Sequence, residues 1–124
     1  MQCPCGSAEA YRVCCAPAHR GITWPVTAEA LMRSRYTAYV RLDESYLLDS
    51  WHPSTRPVPG FVHEVAWRGL TILGVTAGGI DDARGTVEFE ATWENPDGTL
   101  ESMREVSRFE RLDGRWVYVD GDVA

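Results

Sequence analysis

Four cysteines fall within the first 15 residues, Cys3, Cys5, Cys14 and Cys15, and none follows. Four thiolates are the donor set of a tetrahedral structural metal centre, with sulfur about 2.3 Å from a zinc ion. Cys3-Pro4-Cys5 offers two ligands from one tight turn, stiffened by Pro4 and followed by a reversal that Gly6 permits. The intervening stretch holds a short turn or helical piece over Ser7 to Val13, with Ser7 as its cap, that returns the chain to Cys14-Cys15. Disulfide pairing is the competing reading. Adjacent Cys14 and Cys15 would form a strained vicinal bridge, and the start Met1-Gln2-Cys3 has neither the basic nor the apolar stretch of a secretory signal. The chain therefore reads as cytoplasmic, where thiols stay reduced and bind metal. Zinc is the default cation and iron the alternative, since thiolate-rich sites take both. His19 is an alternative fourth ligand in place of Cys15. Residues 1–20 are too few to build a hydrophobic core, so this head is expected to fold only around its metal.

What must position this head is the remainder of a 124-residue chain, one domain's worth by size, with residues 24–121 as a body. At 44% hydrophobic and 24% charged residues, wholesale disorder is excluded. No apolar run approaches the roughly 18 residues of a membrane span. The net charge is −6 and all 12 basic residues are Arg, dispersed along the chain, which makes nucleic acid an unlikely partner. Pro25 and Thr27 open a helix whose apolar face is Ala28, Leu31, Met32, Tyr36, Tyr39 and Val40, leaving Arg33 and Arg41 exposed. Asp43 caps a second helix to about Ser50 that buries Tyr46 and Leu47. Residues 51–60 carry three prolines and cannot be regular helix. Phe61 to Trp67 fits a short helix or a strand. From Leu70 the period becomes two. Strands are expected over Leu70 to Thr76, Thr86 to Glu94, Thr99 to Leu112 and Arg115 to Val119, with turns at Gly78-Gly79, Asn95-Pro96-Asp97-Gly98 and Asp113-Gly114. The long third strand has apolar residues on both faces, Met103 and Phe109 against Leu100 and Val106, as a strongly curved or two-sided sheet requires. The fold class is α+β, helices packed on an antiparallel sheet.

Met1-Gln2-Cys3-Pro4-Cys5-Gly6-Ser7, followed by Tyr11, Cys14 and Cys15, resembles the SEC-C motif, the zinc-binding tail of the SecA translocation ATPase. Leu31-Met32-Arg33-Ser34-Arg35-Tyr36, Trp51-His52-Pro53-Ser54, Ser107-Arg108-Phe109 and Gly114 to Gly121 resemble the bacterial YchJ family across nearly the whole chain. The resemblance implies a SEC-C head on a nuclear transport factor 2-like body, a cone-shaped curved sheet wrapped by helices around a cavity. It further implies zinc on the four cysteines and a head that meets protein partners, as the SecA tail meets the chaperone SecB and the ribosome. Related folds dimerise through the open sheet face, so a homodimer through the sheet is expected. Many SEC-C copies carry several Lys between the cysteine pairs. Here Ala8 to Val13 holds one acid and one base, which disfavours RNA.

Tyr36, Trp51, His52, Ser54, Glu105 and Arg108 are the candidate pocket residues. His52 is the candidate general base, if a carboxylate such as Glu105 orients it. In the competing reading, His52-Pro53 holds a turn. Glu105 and Arg108 are three apart on a strand and point to opposite faces unless a bulge intervenes, whereas Glu105 and Ser107 share one. Arg33 and Arg35 read as solvated helix charges. The expected function is a small metal-binding protein with the head as interaction module and a ligand or protein in the body cavity; the second reading is an isomerase- or dehydratase-like enzyme using His52.

Overall fold

The structure, a computed structural model, describes residues 1–124. A 3-10 turn at Tyr11–Val13 precedes helices α1 (Ala16–His19), α2 (Ala28–Val40) and α3 (Glu44–Asp49), then strands β1 (Ala66–Ala77), β2 (Arg84–Glu94), β3 (Leu100–Leu112) and β4 (Arg115–Val123). The strands pair antiparallel in sequence order, and α2 packs against β1, β2 and β4. This is the helix-on-sheet α+β architecture expected from the residue pattern.

Both helix starts form as their caps dictate. Thr27 Oγ1 accepts the Ala30 N–H at 3.1 Å and Asp43 Oδ1 accepts the Tyr46 N–H at 3.1 Å. The start of α2 is also tied to the sheet, because the Ala28 N–H donates to the Gly78 carbonyl between β1 and β2 at 2.9 Å. Gly78 is thus a helix anchor as well as a turn. Phe61 to Val65 is irregular and β1 begins at Ala66. Two register shifts leave Arg68 and Leu73 as extra residues on β1, each followed by a glycine, and a third leaves Val119 extra on β4. Bulges bend and twist their strands, which curls a four-stranded sheet around one long helix.

Alternation on β2 holds: Val87, Phe89 and Ala91 are buried, and the register sets Ser107, Glu105 and Met103 beside them on the inner face. Leu31, Met32 and Tyr36 of α2 close over these, with Phe109 and Trp116 completing the main core. The outer face carries an Arg104–Glu90 ion pair at 3.9 Å and a Thr92–Ser102 hydrogen bond at 2.8 Å, with Leu100 exposed. The segment leading into α2, which shows no periodicity, is bolted to β4. Trp24 Nε1 donates to the Trp116 carbonyl at 2.9 Å, and Trp116 Nε1 returns a bond to the Val26 carbonyl at 3.1 Å.

Gly85 opens β2 directly against Gly78. A Cβ there would sit 2.4 Å from Gly78 Cα and 2.5 Å from its N, contacts with backbone that no rotamer relieves. Gly85→Ala is expected to destabilise the fold by at least about 2 kcal/mol, read as a lowered denaturation midpoint at unchanged slope.

Candidate functional site

The four sulfurs converge. All four Sγ atoms lie within 4.8 Å of one another, with Cys5–Cys14 at 3.6 Å and Cys14–Cys15 at 4.0 Å. Bonds of about 2.3 Å to four tetrahedral sulfurs require sulfur–sulfur edges of about 3.8 Å, so the donor set fits a single cation. None of the pairs is a disulfide. Cys3, Cys5 and Cys15 are buried and Cys14 is half-buried. The thiols perturb one another: the Cys15 thiol, donating to Cys5, is the main cause that pulls Cys5 down to about 4, while burial first of all pushes Cys14 up to about 11. Cys15 is pushed upward by that same bond and by burial. Gly6 makes the reversal at φ +83°. Ser7 does not cap the 3-10 turn, whose first-turn cap position is Ala10; its hydroxyl lies 3.1 Å from Cys14 Sγ instead.

His19 is not a ligand. Its Nε2–H donates to the Ser34 carbonyl at 2.8 Å, so Nδ1 is the acceptor for the Tyr11 hydroxyl at 2.9 Å, and both nitrogens are committed. The ring also lies against Tyr46, centroids 4.7 Å apart. It therefore fastens the head to α2. Three further contacts do the same: Arg33 Nη1 to the Cys5 carbonyl at 2.7 Å, Cys3 Sγ to Thr37 Oγ1 at 3.6 Å, and Arg41 over the Tyr11 ring at 4.2 Å. Arg33, expected in solvent, is half-buried under the cysteine loop because a carbonyl freed by the Cys3–Cys5 turn needs a donor.

On the far side of α2, a cavity of about 300 Å³ opens between the helix and the inner face of the sheet. Of the six candidate pocket residues it contains Tyr36 and Glu105. The apolar wall is Met32, Trp67, Phe89 and Met103, and the polar groups are Arg35, Glu105, Ser107 and the phenols of Tyr36, Tyr39 and Tyr118. Burial pushes Tyr36 up to about 12 and Tyr39 and Tyr118 upward, so all three remain neutral donors. Arg35, read from sequence as a solvated charge, is 3% exposed. Its Nη1 donates to Ser50 Oγ at 2.6 Å and to the Leu47 carbonyl at 2.9 Å, and its Cζ lies 4.7 and 4.6 Å from the centroids of the Trp51 and Tyr118 rings, which meet edge to face 5.0 Å apart. A lone sequence cannot distinguish Arg35 from a surface arginine; the sheltering groups lie on α3, the next loop and β4.

Trp51, His52, Ser54 and Arg108 lie outside this cavity. The Trp51-His52-Pro53-Ser54 block runs along the outer edge of β4 instead. The Tyr118 N–H donates to the Ser50 carbonyl, the His52 N–H donates to the Tyr118 carbonyl, both at 2.8 Å, and Thr55 Oγ1 reaches the Val119 carbonyl at 2.6 Å. His52 Nδ1 accepts the Ser54 N–H at 3.0 Å, so Nε2 carries the proton toward Glu110 at 3.1 Å, not toward Glu105. The turn-holding reading of His52 is the one the geometry bears out. Arg108 points to the outer face and clamps Asp120 and Asp122 on β4. The β4 bulge at Val119 leaves the parity of β3 intact, so Glu105 and Arg108 do stay on opposite faces, while Ser107 donates to Glu105 as expected.

A curled antiparallel sheet closed by a helix over a cavity, with a four-cysteine head docked on that helix, defines a nuclear transport factor 2-like body carrying a SEC-C type head. The family model described as "YchJ, middle NTF2-like domain" matches residues 27–121, and the chain belongs to the YchJ family. A "UPF0225 protein" of Streptomyces avermitilis is 49% identical over 97% of this chain and 83% of its own length; another, from Deinococcus radiodurans, is 47% identical over 95% and 86%. The solution structure of a SEC-C motif containing protein from Rhodopseudomonas palustris superposes with a TM-score of 0.87 at 34% identity, covering 98% of each chain. The crystal structure of a SEC-C motif containing protein from Psychrobacter arcticus gives 0.82 at 27% identity, over all of this chain and 83% of that one. No helix of the structure is long and apolar enough to cross a membrane.

Because His19 fastens rather than ligates, His19→Ala is expected to cost about 1–3 kcal/mol of stability while leaving the metal content of the purified protein unchanged, measured by denaturation and elemental analysis in parallel.

Proposed function

We propose that this protein is a metal-braced binding protein. A zinc ion held by Cys3, Cys5, Cys14 and Cys15 organises the head, the head holds α2 in place, and α2 closes a pocket that takes a small ligand. The observation that supports it is the double use of α2. Ser34 and Thr37 contact the head, while Arg35, Tyr36 and Tyr39 line the cavity. Four thiolates fill a tetrahedron, so the cation would be structural, with no open position for substrate. Iron fits the same sulfurs; zinc is preferred as the non-redox ion of closed tetrahedral sites. The reading places the protein in the reducing cytoplasm. It leaves the outward face of the head, where Met1 and Val13 are exposed, for a protein partner. The second reading, an enzyme with His52 as base, loses its ground because His52 is spent on Ser54 and Glu110 away from the cavity.

Native mass spectrometry of freshly isolated protein should show about one metal ion per chain. The double variant Cys14→Ser, Cys15→Ser should lose it, with head amides exchanging freely while those of β2 and β3 stay protected. A metal-free wild-type chain whose head amides are fully protected would overturn the proposal.

A further inference from the structure

The cavity contains a cation with unused hydrogen-bonding capacity. Arg35 has five N–H donors, of which the two on Nη1 are taken by Leu47 and Ser50. Nε and Nη2 have no protein partner, and no carboxylate lies within ion-pair distance of this buried side chain. The single buried side-chain nitrogen or oxygen sealed from both partner and solvent is Trp51 Nε1. The free N–H groups of Arg35 therefore open onto the cavity it lines. These are the donors of one guanidinium edge, Nε–H and Nη2–H in parallel, the arrangement that matches the two oxygens of a carboxylate. The adjacent Trp51 and Tyr118 rings offset part of the desolvation of this charge.

The second polar feature is Glu105 on β3. Oε2 accepts from the hydroxyls of Ser107 and Tyr118, and Oε1 has no partner. Arg35 and Glu105 line one cavity and feel each other's charge across it, yet form no salt bridge, which leaves hydrogen-bonding atoms of both free for a ligand. A multiply charged phosphate would meet one arginine and be repelled by the glutamate. A carboxylate that also carries a donor suits both. Between the two charges, Met32, Trp67, Phe89 and Met103 give an apolar wall, and about 300 Å³ admits a small molecule and not a folded segment.

We propose that the cavity binds a small amino- or hydroxy-carboxylic acid with an apolar or aromatic side chain, its carboxylate on the free edge of Arg35 and its ammonium or hydroxyl on Oε1 of Glu105. This rests on the pocket reading above and adds the ligand class to it. Arg35 and Glu105 are the specificity-determining residues, and the aromatic and methionine side chains receive the apolar part.

The test is calorimetric titration of the metal-replete full chain with four probes: L-phenylalanine, L-phenyllactate, phenylpropionate and phenylpropionamide. The first two should bind best. Phenylpropionate should be weaker by about fivefold for lack of the donor, and phenylpropionamide weaker by about tenfold or more for lack of the charged fork. Glu105→Gln, a near-isosteric change, should narrow any preference for the ammonium over the hydroxyl, and Arg35→Lys should remove the preference for acid over amide. The wild-type series carries the result even if Arg35→Lys fails to fold. An amide that binds as well as the acids overturns the carboxylate assignment, and phenylpropionate equal to L-phenylalanine and L-phenyllactate overturns the role of Glu105; in both cases the pocket reading stands. If no probe binds, the ligand class is overturned. The pocket reading falls with it only if toluene also leaves the methyl resonances of Met32 and Met103 unmoved.

Discussion

Helix α2 has no face left for solvent along most of its length, and the rest of the molecule is arranged around that constraint. Of its residues, Leu31, Met32 and Tyr36 meet the sheet, Ser34 and Thr37 meet the head, and Arg35 is enclosed by α3 and β4. A helix buried on every side must find a partner for each polar side chain it carries. Ser34 satisfies this with the Leu31 carbonyl and the Tyr46 hydroxyl, and Arg35 does so in part with Ser50 and Leu47. Removing the head would expose the Ser34 and Thr37 side of the helix, so head and body are joined by the chemistry of one element as well as by chain connectivity.

This arrangement explains which parts of the protein the residue pattern discloses. Strand alternation on β2, the Asn95-Pro96-Asp97-Gly98 turn and the Thr27 and Asp43 caps are local signals with local causes, and each element they indicate is present. The cysteine cluster is equally legible, because soft ligands at such spacing have few other uses. The amphipathic reading of α2 fails at Arg33 and Arg35, since amphipathicity assumes one buried face and this helix has several. Only two of the six candidate pocket residues line the cavity, for a related reason. Tyr36 and Glu105 lie on regular elements whose facing follows from period. Trp51, His52 and Ser54 lie in a proline-rich segment whose path is set by the backbone groups of β4. The β1 bulges had a signal in Gly69 and Gly74, glycines inside a strand pattern, which marks such irregularities.

The head illustrates how a very short segment acquires a defined shape. Its backbone is held by little beyond a Gln2–Ala10 bridge, a Cys3–Glu9 hydrogen bond and two short helical pieces. Hydrophobic burial in it is small, with Ala16 and Ala18 the buried apolar residues besides cysteine. A cation held by the four sulfurs would supply the cooperativity that a core of aliphatic side chains supplies in the body.

The treatment of the sheet margins carries a consequence for the molecule in a crowded cell. An unpaired outermost strand invites another chain to add to it. On one margin, Ser50 to Thr55 already occupies the backbone groups of Tyr118 and Val119, and it continues into Pro57 and Pro59, which cannot donate to a neighbour. Beyond it, Asp120 and Asp122 present paired charge. On the other margin, β1 is interrupted twice, so no long stretch offers regular spacing. Both margins are thus poor templates for runaway strand addition, and the open sheet is protected from amyloid-like growth without being closed into a barrel.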